Sequence, residues 1–323
     1  SKRKDEHVKH ALQQQITTND FDRVILTHQS LPTFDLEDVD LSSTYLNHHF
    51  DYPVYINAMT GGSEKTKEIN HKLAKLAKRF NLAMSVGSQH VALDDPAYED
   101  SFSIVRETYP DGFFISNVNA NATVEESKRA IKMIGANALG IHINPAQELT
   151  MDEGDRHFKH WISNISDIVK SVDVPVVVKE VGNGLSKETV KKLIDVGVKH
   201  VDLSGKGGTN FIEIENNRSK KKRYDYLSNW GISTVDALRQ NKVHEGQLEI
   251  LASGGIRNPL DVIKALAMGA QAVGMSRFFL DRALEKNDQE MIMFFEDLKK
   301  IMVLVDCVDI QSLKKLEIII KDN

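Results

Sequence analysis

The chain has 323 residues, 41% hydrophobic and 27% charged, which is enough to bury one large core. A net charge of -5 excludes a global positive field for nucleic acid, and a single cysteine, Cys307, excludes a disulfide framework within the chain. Lone-cysteine usage fits a reducing, cytoplasmic compartment; residues 1–15 are too polar for a secretory signal, and no apolar run nears the ~20 residues that span a bilayer.

In chain order, Arg3-Lys4-Asp5-Glu6-His7 comes first, before an amphipathic helix. Arg3 and His7 are i,i+4 neighbours, and taken alone the run reads as a solvated charge cluster. Some fifty residues precede the first strand. Strands are expected at 54–57, 83–86, 113–117, 138–143, 174–180, 200–204, 249–253 and 272–276. Helices lie between them. Ile69, Leu73, Leu76 and Phe80 share one apolar face. Thr123 with Glu126 reads as a capping box, Ser186 as an N-cap, and Asn258 as an N-cap with Pro259 at N1. Gly135, Gly197 and Gly269 stop three helices, each just before a strand. The basic run Lys220-Lys221-Lys222-Arg223 fills part of the long gap before the seventh strand and reads as solvated. A helical tail is expected from Arg277 onward.

Eight strands alternating with helices predict a single (β/α)8 barrel of about 250 residues or more, with an N-terminal extension over 1–52, barrel strands over 53–277 and C-terminal helices over 278–323. A doubly wound sheet is the alternative, but neither G-x-G-x-x-G nor a Walker motif follows the first strand.

Barrel active sites lie at the C-terminal strand ends, and here those ends are polar and rich in glycine. Gly254-Gly255 after the seventh strand and Met275-Ser276 after the eighth can cradle a phosphate on bare amides. One such turn alone would be an ordinary connection; two at the usual barrel phosphate site favour binding. Lys179 ends an otherwise apolar strand. It could form a Schiff base, neutralise an anion or pair with Glu180, and anion stabilisation is preferred because strand neighbours point to opposite faces. His142 and Asn144 share a face of the fourth strand, Pro145 ends pairing, and Gln147 and Glu148 lie just beyond. Glu148 is a candidate Mg2+ ligand, since that ion commonly takes one or two carboxylates.

Taken together, Asn57-Ala58-Met59-Thr60-Gly61-Gly62, Asn144-Pro145-x-Gln147-Glu148, Val178-Lys179-Glu180-Val181-Gly182, Ser204-Gly205-x-Gly207-Gly208-Thr209 and Ser253-Gly254-Gly255-Ile256-Arg257, with Arg3-Lys4-x-x-His7, resemble the type 2 isopentenyl-diphosphate isomerases. This is the FMN-dependent family, and the resemblance covers nearly the whole chain. It implies reversible isomerisation of isopentenyl diphosphate to dimethylallyl diphosphate, a step of isoprenoid biosynthesis, with reduced FMN, Mg2+ and NAD(P)H as flavin reductant. It implies FMN contacts from Ala58, Met59, Thr60, Ser88, Asn117, Lys179, Ser204 and Thr209, and an FMN phosphate on Gly255, Ile256, Arg257, Met275 and Ser276. The substrate diphosphate would meet Arg3, Lys4 and His7, with Ser88, His90 and Asn144 nearby. Gln147 would face the reacting carbons beside His142, Lys179 would stabilise negative charge on the flavin, and Glu148 would hold Mg2+. His90 departs from the family, which often has Arg there. A homo-oligomer, tetramer or octamer, is also implied.

Rival readings are another FMN-dependent barrel oxidoreductase and a non-catalytic flavin or isoprenoid-phosphate sensor. A 2-hydroxyacid oxidase needs a base His with an adjoining Arg on the late strands, and no His lies near Gly254 to Arg257. An inosine-monophosphate-type dehydrogenase needs a loop Cys, and Cys307 lies beyond the barrel.

Overall fold

A computed structural model describes residues 5, 6, 9, 14, 19–219, 221–285 and 288–321. Eight parallel strands close into a barrel: Val54–Ile56, Met84–Ser85, Phe114–Asn119, Ala138–His142, Val176–Lys179, His200–Asp202, Glu249–Ser253 and Ala272–Met275. Closure is made where Val54 pairs with Val273 and Ile56 with Met84. Each observed strand falls within or overlaps its expected segment.

The helix signals hold in detail. Thr123 Oγ1 accepts from Glu126 N–H, and Glu126 Oε2 accepts from Thr123 N–H. Asn258 Oδ1 caps Asp261 N–H ahead of helix Pro259–Ala267. Ser186 Oγ caps Thr189 N–H. Just beyond the fourth strand, Pro145 opens a short helix, Pro145–Thr150, which carries Gln147 and Glu148. One expectation needs correction: the C-terminal tail is not helical throughout. After helices Arg277–Glu285, Asp288–Leu304 and Ile310–Leu313, the strand Ile318–Ile320 pairs antiparallel with Val24–Leu26. Three consecutive isoleucines suit an extended, half-buried ribbon better than a helix.

Two apolar cores result. The larger lies between the strands and the outer helices, built from Leu73, Phe102, Ile134, Ile168, Val262, Phe279 and others. The smaller fills the barrel's N-terminal end. There the hairpin of Ser43–Tyr45 and His48–Phe50 inserts Tyr45, Leu46 and Phe50 against Tyr55, Ile115, Val177 and Leu251. This plug decides where the site can be. Strand side chains alternate faces, so Asn57, Asn117, Lys179 and Ser253 point the same way as Tyr55, Ile115, Val177 and Leu251, one layer higher. The interior is therefore apolar below and polar above. Glycine at position 274 is required by this arrangement, because a Cβ there would lie 2.6 Å from the Tyr55 ring.

Candidate active site

A cavity of about 760 Å³ opens above the polar layer. Most of the residues singled out in the sequence line it. Ala58 and Met59 follow the first strand; Ser88 and His90 follow the second. Asn117, His142, Asn144, Gln147, Glu148 and Lys179 come from the third to fifth, and Ser204 and Thr209 from the loop after the sixth. Gly255, Ile256, Arg257, Met275 and Ser276 close the far end.

Thr60 is placed otherwise. It is buried behind the wall, its Oγ1 donating to Asn70 Oδ1 at 2.7 Å and its carbonyl accepting from Gly87 N–H at 2.9 Å. Arg257 lines the cavity, but its guanidinium is turned to Asp22 and Asp261, and these carboxylates hold it above the ordinary arginine value. Arg3, Lys4 and His7 lie outside the described residues. Their neighbours Asp5 and Glu6 are tethered at the C-terminal end of the barrel, Asp5 accepting from Ser63 Oγ at 2.9 Å and Glu6 pairing with Arg218 at 3.3 Å. Gln14 reaches the cavity, and Arg277 donates to its carbonyl at 2.7 Å. Lys221, Lys222 and Arg223 are exposed, as a solvated run should be.

The far end of the cavity is a cradle of backbone. Gly254 and Gly255 have φ of +94° and +77°, in the left-handed region. A Cβ on Gly254 would stand 2.0 Å from Gly205 O, and one on Gly208 would stand 2.8 Å from Gly255 N. The two loops touch main chain to main chain, so only glycine fits. Helix Arg277–Glu285 begins directly after Ser276, adding a positive dipole end. A phosphate fits this end by its chemistry.

The middle of the cavity is set by buried polar groups. Lys179 is 7% exposed, and its Nζ donates to Glu180 O at 2.7 Å. Burial holds it below the ordinary lysine value, opposed by the charges of Asp202 and Glu180. The Glu180 carboxylate faces the other way, accepting from the N–H groups of Val181, at 2.6 Å, and Asn183. Burial raises it to about 7. His142 Nδ1 shares a hydrogen bond with Asn117 Oδ1 at 2.9 Å. His90 Nδ1 and Asn144 Oδ1 are buried without a partner among the described residues. Unpartnered polar atoms on a cavity wall suit a polar ligand such as a flavin with its substrate.

On the other side, Asn144 Nδ2 donates to Gln147 Oε1 at 3.1 Å and to Glu148 Oε1 at 3.0 Å. Glu148 Oε2 accepts from Asp155 N–H at 2.8 Å. No group of three or more His, Cys, Asp or Glu side chains among the described residues is arranged to hold a metal. Glu148 offers a single carboxylate, which suits an Mg2+ completed by water and substrate phosphate rather than a protein cage.

Several residues were not assigned roles from the sequence. Asp202, 1% exposed, accepts from Tyr55, Asn57, Ser253 and Ser204 beneath the cavity. An acid at the end of a strand whose residues are all buried was a usable signal. Glu215, on helix Phe211–Arg218, accepts from Gln147 Nε2 at 2.9 Å and pairs with Arg218. Nothing local marks it.

The family profile described as FMN-dependent dehydrogenase matches residues 106–319, more than half of the chain. An isopentenyl-diphosphate delta-isomerase of Staphylococcus haemolyticus is 50% identical over 318 residues, covering 97% of this chain and 91% of that protein. Proteins of the same name from Staphylococcus epidermidis and Staphylococcus aureus are 48% and 47% identical over 322 residues, with 98% of this chain and 92% of each relative covered. Among solved structures, a flavocytochrome b2 variant aligns with a TM-score of 0.68 at 19% identity, covering 94% of this chain and 77% of that one. A mandelate oxidase variant with a monooxide FMN adduct aligns at 0.65 and 16%, covering 98% and 92%. These last two are likenesses of fold. The near-full-length identity to the isomerases, joined to the FMN-dependent profile, decides the matter: the chain belongs to the type 2, FMN-dependent isopentenyl-diphosphate delta-isomerase family.

Proposed function

We propose that the chain interconverts isopentenyl diphosphate and dimethylallyl diphosphate, using FMN reduced beforehand by NAD(P)H, and Mg2+. The observation that carries this reading is that one cavity joins a glycine cradle at one end to Lys179 in its middle and to Gln147 and Glu148 beyond. When bound, reduced FMN supplies an acid/base group at N5 for moving the double bond, with no net redox change.

The protein's part is binding, orientation and charge. The main chain of Gly255, Ile256, Met275 and Ser276 holds the FMN phosphate, while Ala58, Met59, Ser88, Asn117, Ser204 and Thr209 line the rest of the flavin's bed. Thr60 supports that bed from behind through Asn70. Lys179 places a cation where the flavin carries negative charge. Gln147 faces the reacting carbons, and His142 lies beside it. Asn144 fixes the amide of Gln147 and the carboxylate of Glu148 together, so carbons and metal are registered by one side chain. Glu148 holds Mg2+ against the diphosphate. Arg3, Lys4, His7, Ser88 and His90 take the remaining phosphate charge. The tethering of Asp5, Glu6 and Gln14 near the barrel mouth supports the clamp. The reading also includes a cytoplasmic location and a homo-oligomer. No described helix is long and apolar enough to cross a membrane.

An anaerobic assay with reduced FMN, Mg2+ and isopentenyl diphosphate tests the reading. Dimethylallyl diphosphate is expected, from protein that turns yellow on FMN uptake and pales on reduction. Protein that takes up no flavin, or takes it up and leaves the diphosphate unchanged, overturns it.

A further inference from the structure

One buried carboxylate has no task in this mechanism. Asp202 lies inside the barrel, in register with Lys179 on the neighbouring strand, so both side chains share the interior face. Its carboxylate is surrounded by donors. Tyr55 Oη donates at 2.8 Å, Asn57 Nδ2 at 3.1 Å, Ser253 Oγ at 2.7 Å and Ser204 N–H at 3.1 Å. Four donors on one carboxylate fix its position beneath the cavity. The titratable groups facing it are Tyr55 from the first strand and Lys179 from the fifth. Glu249 and Tyr45 lie near Tyr55, which burial and then the Asp202 charge hold well above its ordinary value.

Lys179 has the opposite problem. It is buried, and its one hydrogen bond among those described goes to a neutral carbonyl. Burial alone drives a lysine toward its neutral form. Glu180 cannot fully offset this, because its carboxylate is turned to the N–H groups of Val181 and Asn183. Asp202 is the remaining negative charge, and it is on the cavity's side of the sheet.

We propose that Asp202 is a positioning residue that keeps Lys179 protonated, with Tyr55, Asn57, Ser204 and Ser253 fixing the carboxylate beneath the flavin bed. The cavity then presents a true cation rather than a neutral amine. The proposal deepens the flavin reading, and rests on it only for what that cation faces.

The test is a titration of Lys179 in the full chain without flavin, by NMR of 13Cε/15Nζ-labelled lysine. Lys179 is assigned as the resonance missing from K179M. Lys179 is expected to stay charged through pH 8. In D202N its midpoint is expected to fall by about one pH unit or more, the size of effect a nearby opposite charge produces. In Y55F, which removes one donor and leaves the charge, the midpoint is expected to move by less than about half of that. A Lys179 already neutral at pH 7 in the unaltered chain overturns the proposal, as does a D202N midpoint equal to that of the unaltered chain. Should D202N fail to fold, the unaltered chain still decides, because a Lys179 neutral at pH 7 there overturns the proposal. FMN uptake is read separately, by quenching of flavin fluorescence. If D202N shifts the midpoint while the unaltered chain binds no FMN, the charge coupling stands and the flavin reading falls.

Discussion

Gln147 and Glu215 meet where helix Pro145–Thr150 packs on helix Phe211–Arg218, Nε2 of the amide donating to Oε1 of the carboxylate at 2.9 Å. The amide oxygen of Gln147 is held in turn by Asn144. Both ends of the Gln147 amide are therefore oriented, by residues 68 positions apart on one side and three on the other. Misplacing a group at a reacting centre by ~1 Å can cost 10²-fold. Glu215→Gln is expected to lower kcat by roughly tenfold, and Gln147→Ala by roughly 10²-fold, with FMN affinity little changed. Steady-state assays beside flavin titrations check this. A Gln147→Ala enzyme with intact turnover would remove Gln147 from the reacting carbons.

Glu148 is held by Asn144 and by Asp155 N–H, so its position does not depend on a metal. Glu148→Gln keeps the size and an acceptor oxygen but loses the charge. The Mg2+ concentration for half-maximal activity is expected to rise at least about tenfold, since the one carboxylate assigned to the ion loses its charge. Unchanged Mg2+ dependence would sink the metal assignment.

Gly254 combines a φ of +94° with the 2.0 Å approach to Gly205 O. Gly254→Ala must move main chain on both loops. A loss of about 2–4 kcal/mol of stability is expected from strain and displacement together. Urea unfolding without FMN measures it, and FMN affinity should fall with it, because the same turn forms the phosphate cradle.

Glu180 gives a pH dependence with a definite sign. Its folded value is raised from 4.5 to about 7. Between those values the folded chain keeps a proton that the unfolded chain has lost. Stability from this group therefore falls as pH rises through that window, by ~3 kcal/mol in all. Glu180→Gln, which keeps an oxygen for the N–H groups of Val181 and Asn183, is expected to flatten that slope. Unfolding midpoints at pH 5 and pH 8 report it. Equal slopes in both proteins would mean that Glu180 ionises near its ordinary value.

The sequence by itself determined the barrel and most of the cavity wall. Helix caps at Thr123 and Asn258, glycine stops at Gly135, Gly197 and Gly269, and short β-branched runs are local signals, and local energetics honoured them. Once the strands were placed, alternation put Lys179, Asn117 and Ser253 on the interior face. The tail failed locally: Ile318–Ile320 is a strand because Val24–Leu26, from the far end of the chain, lies beside it.

Tertiary structure alone decided what those wall residues touch. Thr60 left the cavity because Asn70, on the next helix, captures its hydroxyl. Arg257 turned its charge to Asp22 and Asp261. Glu215 reached Gln147, and Asp202 gathered donors from the first and seventh strands and from the turns after the first and sixth. The reason is physical. Propensity and capping act within a few residues, whereas a buried charge takes its partners from whatever the closed barrel brings within hydrogen-bond reach.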